Sequence, residues 1–161
     1  MKTELSVLNR LADVIATQLN NYLKEDEDYS GLLDEIDEQN VEVDFPDVDN
    51  MPKKNMFYIE PESEEIEDST TCSDEATMYV TLYILCKRDT NERLVKKVYG
   101  YFTALYCLLR ANQDLDGYID FSRVSTVEYY PAVTATGNIA GVEASIRLSW
   151  EKDFSYEQES N

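Results

Sequence analysis

The chain has 161 residues, with 33 Asp and Glu against 14 Lys and Arg and no histidine, for a formal net charge of −19. That balance weighs against a surface that tracks nucleic-acid phosphates or docks on anionic lipid. The lack of histidine removes the Ser-His and Cys-His nucleophile systems and every His-containing zinc site. At 43% hydrophobic and 11% aromatic residues, the chain still has the material for one folded core.

Residues 5–23 repeat Leu5, Leu8, Ala12, Ile15 and Leu19 at three- and four-residue steps, with Thr3 as N-cap, which predicts an amphipathic helix. The acidic run Glu25, Asp26, Glu27, Asp28 follows, and Leu32, Leu33 and Ile36 predict a short helical turn. Val41, Val43 and Phe45 alternate with Glu42 and Asp44, a half-buried strand stopped by Pro46. A second strand over 56–59 is stopped by Pro61. Residues 62–74, including Glu62, Glu64, Glu65, Glu67 and Asp68, are polar and read as a mobile loop.

Residues 77–87 predict a long strand with Met78, Val80, Leu82, Ile84 and Cys86 on one face and Tyr79, Thr81, Tyr83 and Leu85 on the other. A helix over 91–110 comes next, then a turn over 112–117. Two strands close the chain, 118–130 and 139–150, and residues 153–161 read as a frayed tail. The order α-β-β-β-α-β-β predicts a single α+β domain over 1–152. Its two amphipathic helices pack on one face of a single antiparallel sheet.

Charge is unevenly spread. The 25–75 stretch holds 20 acidic residues against Lys53 and Lys54, a net of −18, which leaves −1 for the rest. The fold is thus a near-neutral domain carrying an acidic insert region.

Few motifs carry chemistry. The turn holding Asn112, Asp114, Asp116, Gly117, Ile119 and Asp120 resembles an EF-hand calcium loop, although Asn112 stands where the first Asp ligand should. Arg123, however, stands where a bidentate Glu should close the cage, and a strand follows where a helix should. A helix-to-strand turn is the expectation, with no metal site and no cofactor. Paired carboxylates are unavoidable among 33 acids and single out no catalytic pair, so no enzymatic activity is expected. Cys72, Cys86 and Cys107 lack metal or redox spacing. The N-terminus has no signal core, and the reading is of a soluble intracellular chain. Twelve tyrosines are many for this length. Tyr79, Tyr83, Leu85, Tyr129 and Tyr130 are candidate subunit-interface residues, with helix or loop cover from the same chain as the alternative. The acidic residues 25–28, Glu62, Glu64, Glu65, Glu67 and Asp68 are candidates for an acidic surface.

The segments LNRLADVIATQLNNYL, ATMYVTLYILCKRD, YIDFSRVSTVEYYPAV and IAGVEASIRLSWEKDF, in this order, resemble the tail-terminator and tail-completion proteins of long-tailed bacteriophages and prophages. The resemblance covers most of the chain except the 25–75 region. It implies a homo-oligomeric ring, commonly a hexamer, that caps the tail tube and joins it to the head connector. Its partners would be other copies of itself, the tail-tube protein and the head-connector protein, with no membrane and no specific nucleic-acid binding. Its place would be the host cytoplasm during assembly and then the virion tail. The alternative is an acidic module, a DNA mimic or inhibitor, that sequesters a basic nucleic-acid-binding partner.

Overall fold

Thr3 caps the first helix: its hydroxyl accepts a hydrogen bond from the Ser6 amide at 3.1 Å, and its own amide donates to the Ser6 hydroxyl at 2.9 Å. A computed structural model describes residues 2–23, 29, 31–87, 91–134 and 138–153. Helix α1 spans Glu4–Gln18 and tightens into a 3-10 turn, Leu19–Tyr22. The strands are β1 (Val41–Glu42), β2 (Asn55–Asp68), β3 (Ser73–Lys87), β4 (Phe121–Tyr130) and β5 (Ile139–Asp153), with α2 (Asn91–Ala111) between β3 and β4. The order is the predicted one, and the strands form one sheet in the sequence β1-β2-β3-β5-β4.

All long strands pair antiparallel; the two-residue β1 pairs parallel to β2 through Val41 and Phe57, so the sheet is mixed. Both helices lie on one face. Val7, Leu11, Ile15, Leu94, Tyr101, Leu105 and Leu108 pack there against Phe57, Ile59, Val80, Leu82, Ile84, Ile146 and Trp150 in one continuous core.

Three expectations need correction. Residues 62–68 are not a loop, because β2 continues through Pro61 to Asp68 and pairs with β3 down to Asp68 opposite Asp74. Pro61 is tolerated because, among the described residues, only β1 pairs on the outer side of β2 and it covers only Phe57 and Tyr58, and because a register shift falls between Pro61 and Ser63. Cross-strand pairing to a central strand overrides the weak strand propensity of the glutamates. The strand expected over 41–45 is only two residues long, and Phe45 is 66% exposed. Leu32, Leu33 and Ile36 form no helix; a 3-10 turn lies later, at Glu38–Asn40, capped by Asp37.

That acidic segment is tied to the domain by named groups. The Asn20 amide donates to the Ile36 carbonyl and its oxygen accepts from the Ile36 amide, both at 2.8 Å. The fully buried Tyr101 hydroxyl donates to the Asp34 carbonyl at 2.7 Å and accepts from the Asp34 amide at 3.0 Å. Gly100 lies under the same segment, where a Cβ would meet Leu33 Cδ1 at 2.8 Å.

Candidate functional site

Strand alternation gives the sheet a second face, away from the helices, and the register sorts its side chains into rows. At one end Glu67, Glu75 and Glu151 stand side by side across β2, β3 and β5. Four residues along β3, Tyr79 is opposite Arg147, which is opposite Arg123. Four further on, Tyr83, Glu143 and Glu128 form the next row, and beyond it Leu85, Gly141 and Tyr130. The rows therefore run acidic, basic, acidic and apolar.

The apolar end is partly covered by the same chain. Met51 is buried with Met56, Tyr58, Leu85 and Ile139, and Val48 and Tyr83 pack on this cluster. Leu85, a candidate subunit contact, is thus already buried by the loop before β2 and by Ile139. At its rim, tyrosine hydroxyls hold carboxylates. Tyr83 donates to Glu60 at 2.9 Å, and Tyr130 donates to Glu128 at 2.6 Å with Glu143 at 3.3 Å. Burial first, then Glu60, raises the Tyr83 phenol above its usual range. The hydrogen bond to Glu128 is the main cause that pushes Tyr130 up to about 12. Tyr58 is raised by burial and then by the charges of Glu42, Asp47 and Asp44.

The acidic candidates divide. Glu65 and Glu67 project from the open face, while Glu64 and Asp68 alternate to the helix side. Glu64 lies 2.9 Å from Lys152, which also binds Glu4, so the three form one cluster at the start of α1. The Lys152 hydrogen bond holds Glu4 below its usual range, whereas burial raises Glu64. Burial pulls Lys152 down, and its two carboxylates more than offset this. Glu62, at the irregularity in β2, accepts from the Thr81 hydroxyl. Glu25, Asp26, Glu27 and Asp28 lie outside the described residues.

The five interface candidates do not share a surface. Tyr79, Tyr83, Leu85 and Tyr130 are on the open face, but Tyr129 turns to the helix side. It meets Tyr99 edge-on at 4.7 Å and Phe102 at 6.0 Å. Tyr99, Tyr106 and Tyr129 are each more than 40% exposed, so an aromatic patch flanks the free edge of β4. Tyr99, Phe102 and Tyr106 are three and four residues apart on α2, a spacing that puts them on one side of the helix.

Asn112, Asp114, Asp116 and Asp120 lie in the turn from α2 to β4. The Asn112 oxygen accepts from the Asp116 amide at 2.8 Å, and the Asp116 carboxylate accepts from the Asn112 and Gln18 side-chain amides at 2.9 and 2.8 Å. Leu115, Asp116 and Gly117 all have positive φ, and Leu115 is fully buried beneath them. Among the described residues, no group of three potential metal ligands converges, and no helix is long and apolar enough to cross a membrane.

No family profile and no curated protein matches this sequence. A chain in a solved structure described as "Virion of native gene transfer agent (GTA) particle" is similar at 14% identity, over 87% of this chain and 98% of that one, with a TM-score of 0.32. A likeness of that size fixes neither a shared fold nor a shared role.

Proposed function

We propose that this chain is a structural assembly protein of a phage-like virion, which caps the tail tube and forms a homo-oligomeric ring joining tail to head. The role is non-catalytic. The supporting observation is the match between the resembling segments and structural elements: α1, β3 with α2 as the next element in the chain, and the paired β4 and β5. The surface of the fold supports it too. Among the described residues, β4 is an edge strand flanked by exposed Tyr99, Tyr106 and Tyr129, and β2 beyond Tyr58 is unpaired on its outer side. Two open edges on one sheet suit a heterologous contact that repeats around a ring. The partners would be further copies, the tail-tube protein and the head-connector protein, met in the host cytoplasm.

The test is light scattering over a concentration series, followed by electron microscopy of the protein mixed with tail tubes. A closed ring on one tube end, with tube growth halted, is the expected result. A chain that remains a single copy at every concentration and leaves tube growth unchanged refutes the reading.

A second reading gains from one correction. Glu62–Asp68 lies on a paired strand, so its charges are fixed in space as a module that sequesters a basic nucleic-acid-binding protein would need. Salt-sensitive capture of such a protein by the single chain, without ring formation, would favour it.

A further inference from the structure

A groove of about 440 Å³ opens on the outer face of the sheet, at the end opposite the Glu67, Glu75 and Glu151 row. Phe45, Pro46 and Val48 form one wall, Val133 and Ala132 the other, and Leu85 and Gly141 lie between them. A Cβ on Gly141 would come within 2.7 Å of Leu85 Cδ2 and 3.2 Å of Val133 Cγ2, so the bare glycine lets these side chains close over it. Phe45 leaves 66% of its surface in water although it borders an apolar cleft, which is the costly arrangement for a large apolar ring.

The polar end is built differently. Tyr83, Tyr130 and Glu143 line it, and their hydroxyls fix Glu60, Glu128 and Glu143 in place. Asp44 and Asp47 flank the wall residues Phe45 and Pro46 in the chain and add negative charge beside the groove. The cation on this face closest in sequence, Lys87, is turned to the Met51 carbonyl at 3.3 Å, and so belongs to the covered cluster.

From this pairing of an apolar cleft with pinned carboxylates, we infer that the groove docks a segment of another protein that presents an aliphatic or aromatic side chain flanked by Lys or Arg. Charge complementarity selects that occupant over the alternatives. The chain's own last residues, FSYEQESN, carry two Glu and no cation. They follow Asp153, which pairs with Ser73 at the far end of β5 from Gly141. A second copy paired groove to groove would set the Glu143 and Glu128 rims of the two copies against each other, like charge on like. An anchoring side chain fills the space between Phe45 and Val133, and flanking cations replace water at Glu128 and Glu143. The inference is independent of ring formation.

The test uses the full chain, labelled with nitrogen-15 and titrated at low salt with the peptide acetyl-Arg-Leu-Arg-Ile-Arg-amide. Two controls replace either the apolar residues by Ser or the Arg by Glu. Saturable shifts at Tyr83, Tyr130, Ala132 and Gly141 are expected, with both controls at least about tenfold weaker. Phe45→Ala alters an exposed side chain, and Glu128→Gln with Glu143→Gln keeps the acceptors for Tyr130. Each should weaken binding by about threefold or more. The inference is overturned by any of three results: no saturation by about 5 mM peptide, equal binding of the Ser control, or the same amides shifting with protein concentration alone, which would make a second copy the occupant.

Discussion

Replacing Tyr101 by Phe removes one oxygen from the centre of the molecule and leaves the ring in place. That oxygen uses its whole bonding capacity, since it donates to Asp34 O at 2.7 Å and accepts from Asp34 N at 3.0 Å and from Asn55 Nδ2 at 3.2 Å. The Asp34 groups lie in a part-buried segment and can recover water. Asn55 cannot, because it is only 5% exposed and its Oδ1 already has no partner among the described residues. Leaving a buried amide unsatisfied costs about 1–3 kcal/mol, so about 2 kcal/mol is expected for the substitution. The edge-on contact of the ring with Phe57, at 5.7 Å and 87°, survives and contributes nothing to the difference. For a chain of this size that predicts a Tm lower by about 4–8 °C.

The assay is urea unfolding of both proteins, with hydrogen exchange read at the Asp34 amide. A larger loss of protection at Asp34 than the global destabilisation explains would show that Tyr101 anchors the acidic segment to α2. A stability change within about 0.3 kcal/mol, with Asp34 protection unchanged, would refute the argument that these bonds pin the segment.

Asn20→Ala breaks both hydrogen bonds to the Ile36 backbone and should destabilise by about 1–2 kcal/mol in the same urea assay. Gly100→Ala gains up to about 1 kcal/mol of helix propensity, yet its Cβ would meet Leu33, so thermal melting should show no gain or a net loss. Glu75→Gln relieves like charge on both sides, from Glu67 and Glu151, and should raise stability by about 0.5–1 kcal/mol at low salt. The gain should shrink at about 0.5 M salt, and a salt-independent effect would point to packing instead. Burial pushes the Cys86 thiol up to about 12 from an ordinary 9.0, and burial also raises Tyr101. The unfolded chain then loses these protons first, so stability is intact below about pH 9 and falls as pH rises toward 12. Thiol labelling at pH 8 should modify exposed Cys72 rapidly and reach Cys86 only at the unfolding rate.

The element order was legible because periodicity is strong where one face is buried. Met78, Val80, Leu82, Ile84 and Cys86 alternate onto the core face of β3 as their spacing requires, and the α2 stripe of Leu94, Val98, Leu105 and Leu109 is buried as a unit. Residues 62–68 failed the same logic, because a strand exposed on both faces carries no alternation and is held by its partner's backbone instead. Phe45 failed for the opposite reason: three alternating apolar residues imitate a strand, but of the three only Val41 pairs with β2, Val43 packs on the core without pairing, and Phe45 is left exposed. Of the interface candidates, Tyr79, Tyr83 and Leu85 fall on the face away from the helices, as the alternation of β3 predicts. Tyr129 and Tyr130 are adjacent on one strand and so cannot share a face: Tyr130 lies opposite Gly141 on the open side, and Tyr129 opposite Val142 on the helix side. The roles of Glu128 and Glu143 came from hydroxyls on other residues, which no spacing rule reveals.

The distribution of charge on the open face bears on which partner it fits. A surface that imitates duplex DNA needs negative charge repeated at short intervals along its length, since the duplex carries one charge per about 1.7 Å of axis. Here the two acidic rows sit on either side of the Arg147 and Arg123 row, and successive charged rows are four residues apart along β3, or about 13 Å. That separation exceeds the screening distance of about 8 Å at physiological salt, so each row acts on a partner as a separate patch. Two opposed arginines in the middle of the face would repel the cationic cleft of a nucleic-acid-binding protein where a mimic most needs attraction. The same alternation favours a partner with its own alternating pattern, because only one register then brings opposite charges together and a shift of one row brings like charges into contact. Fixed orientation on a neighbour matters more to an assembly protein than to an inhibitor that need only occlude a site, and on that ground the patterned face supports the assembly reading over mimicry.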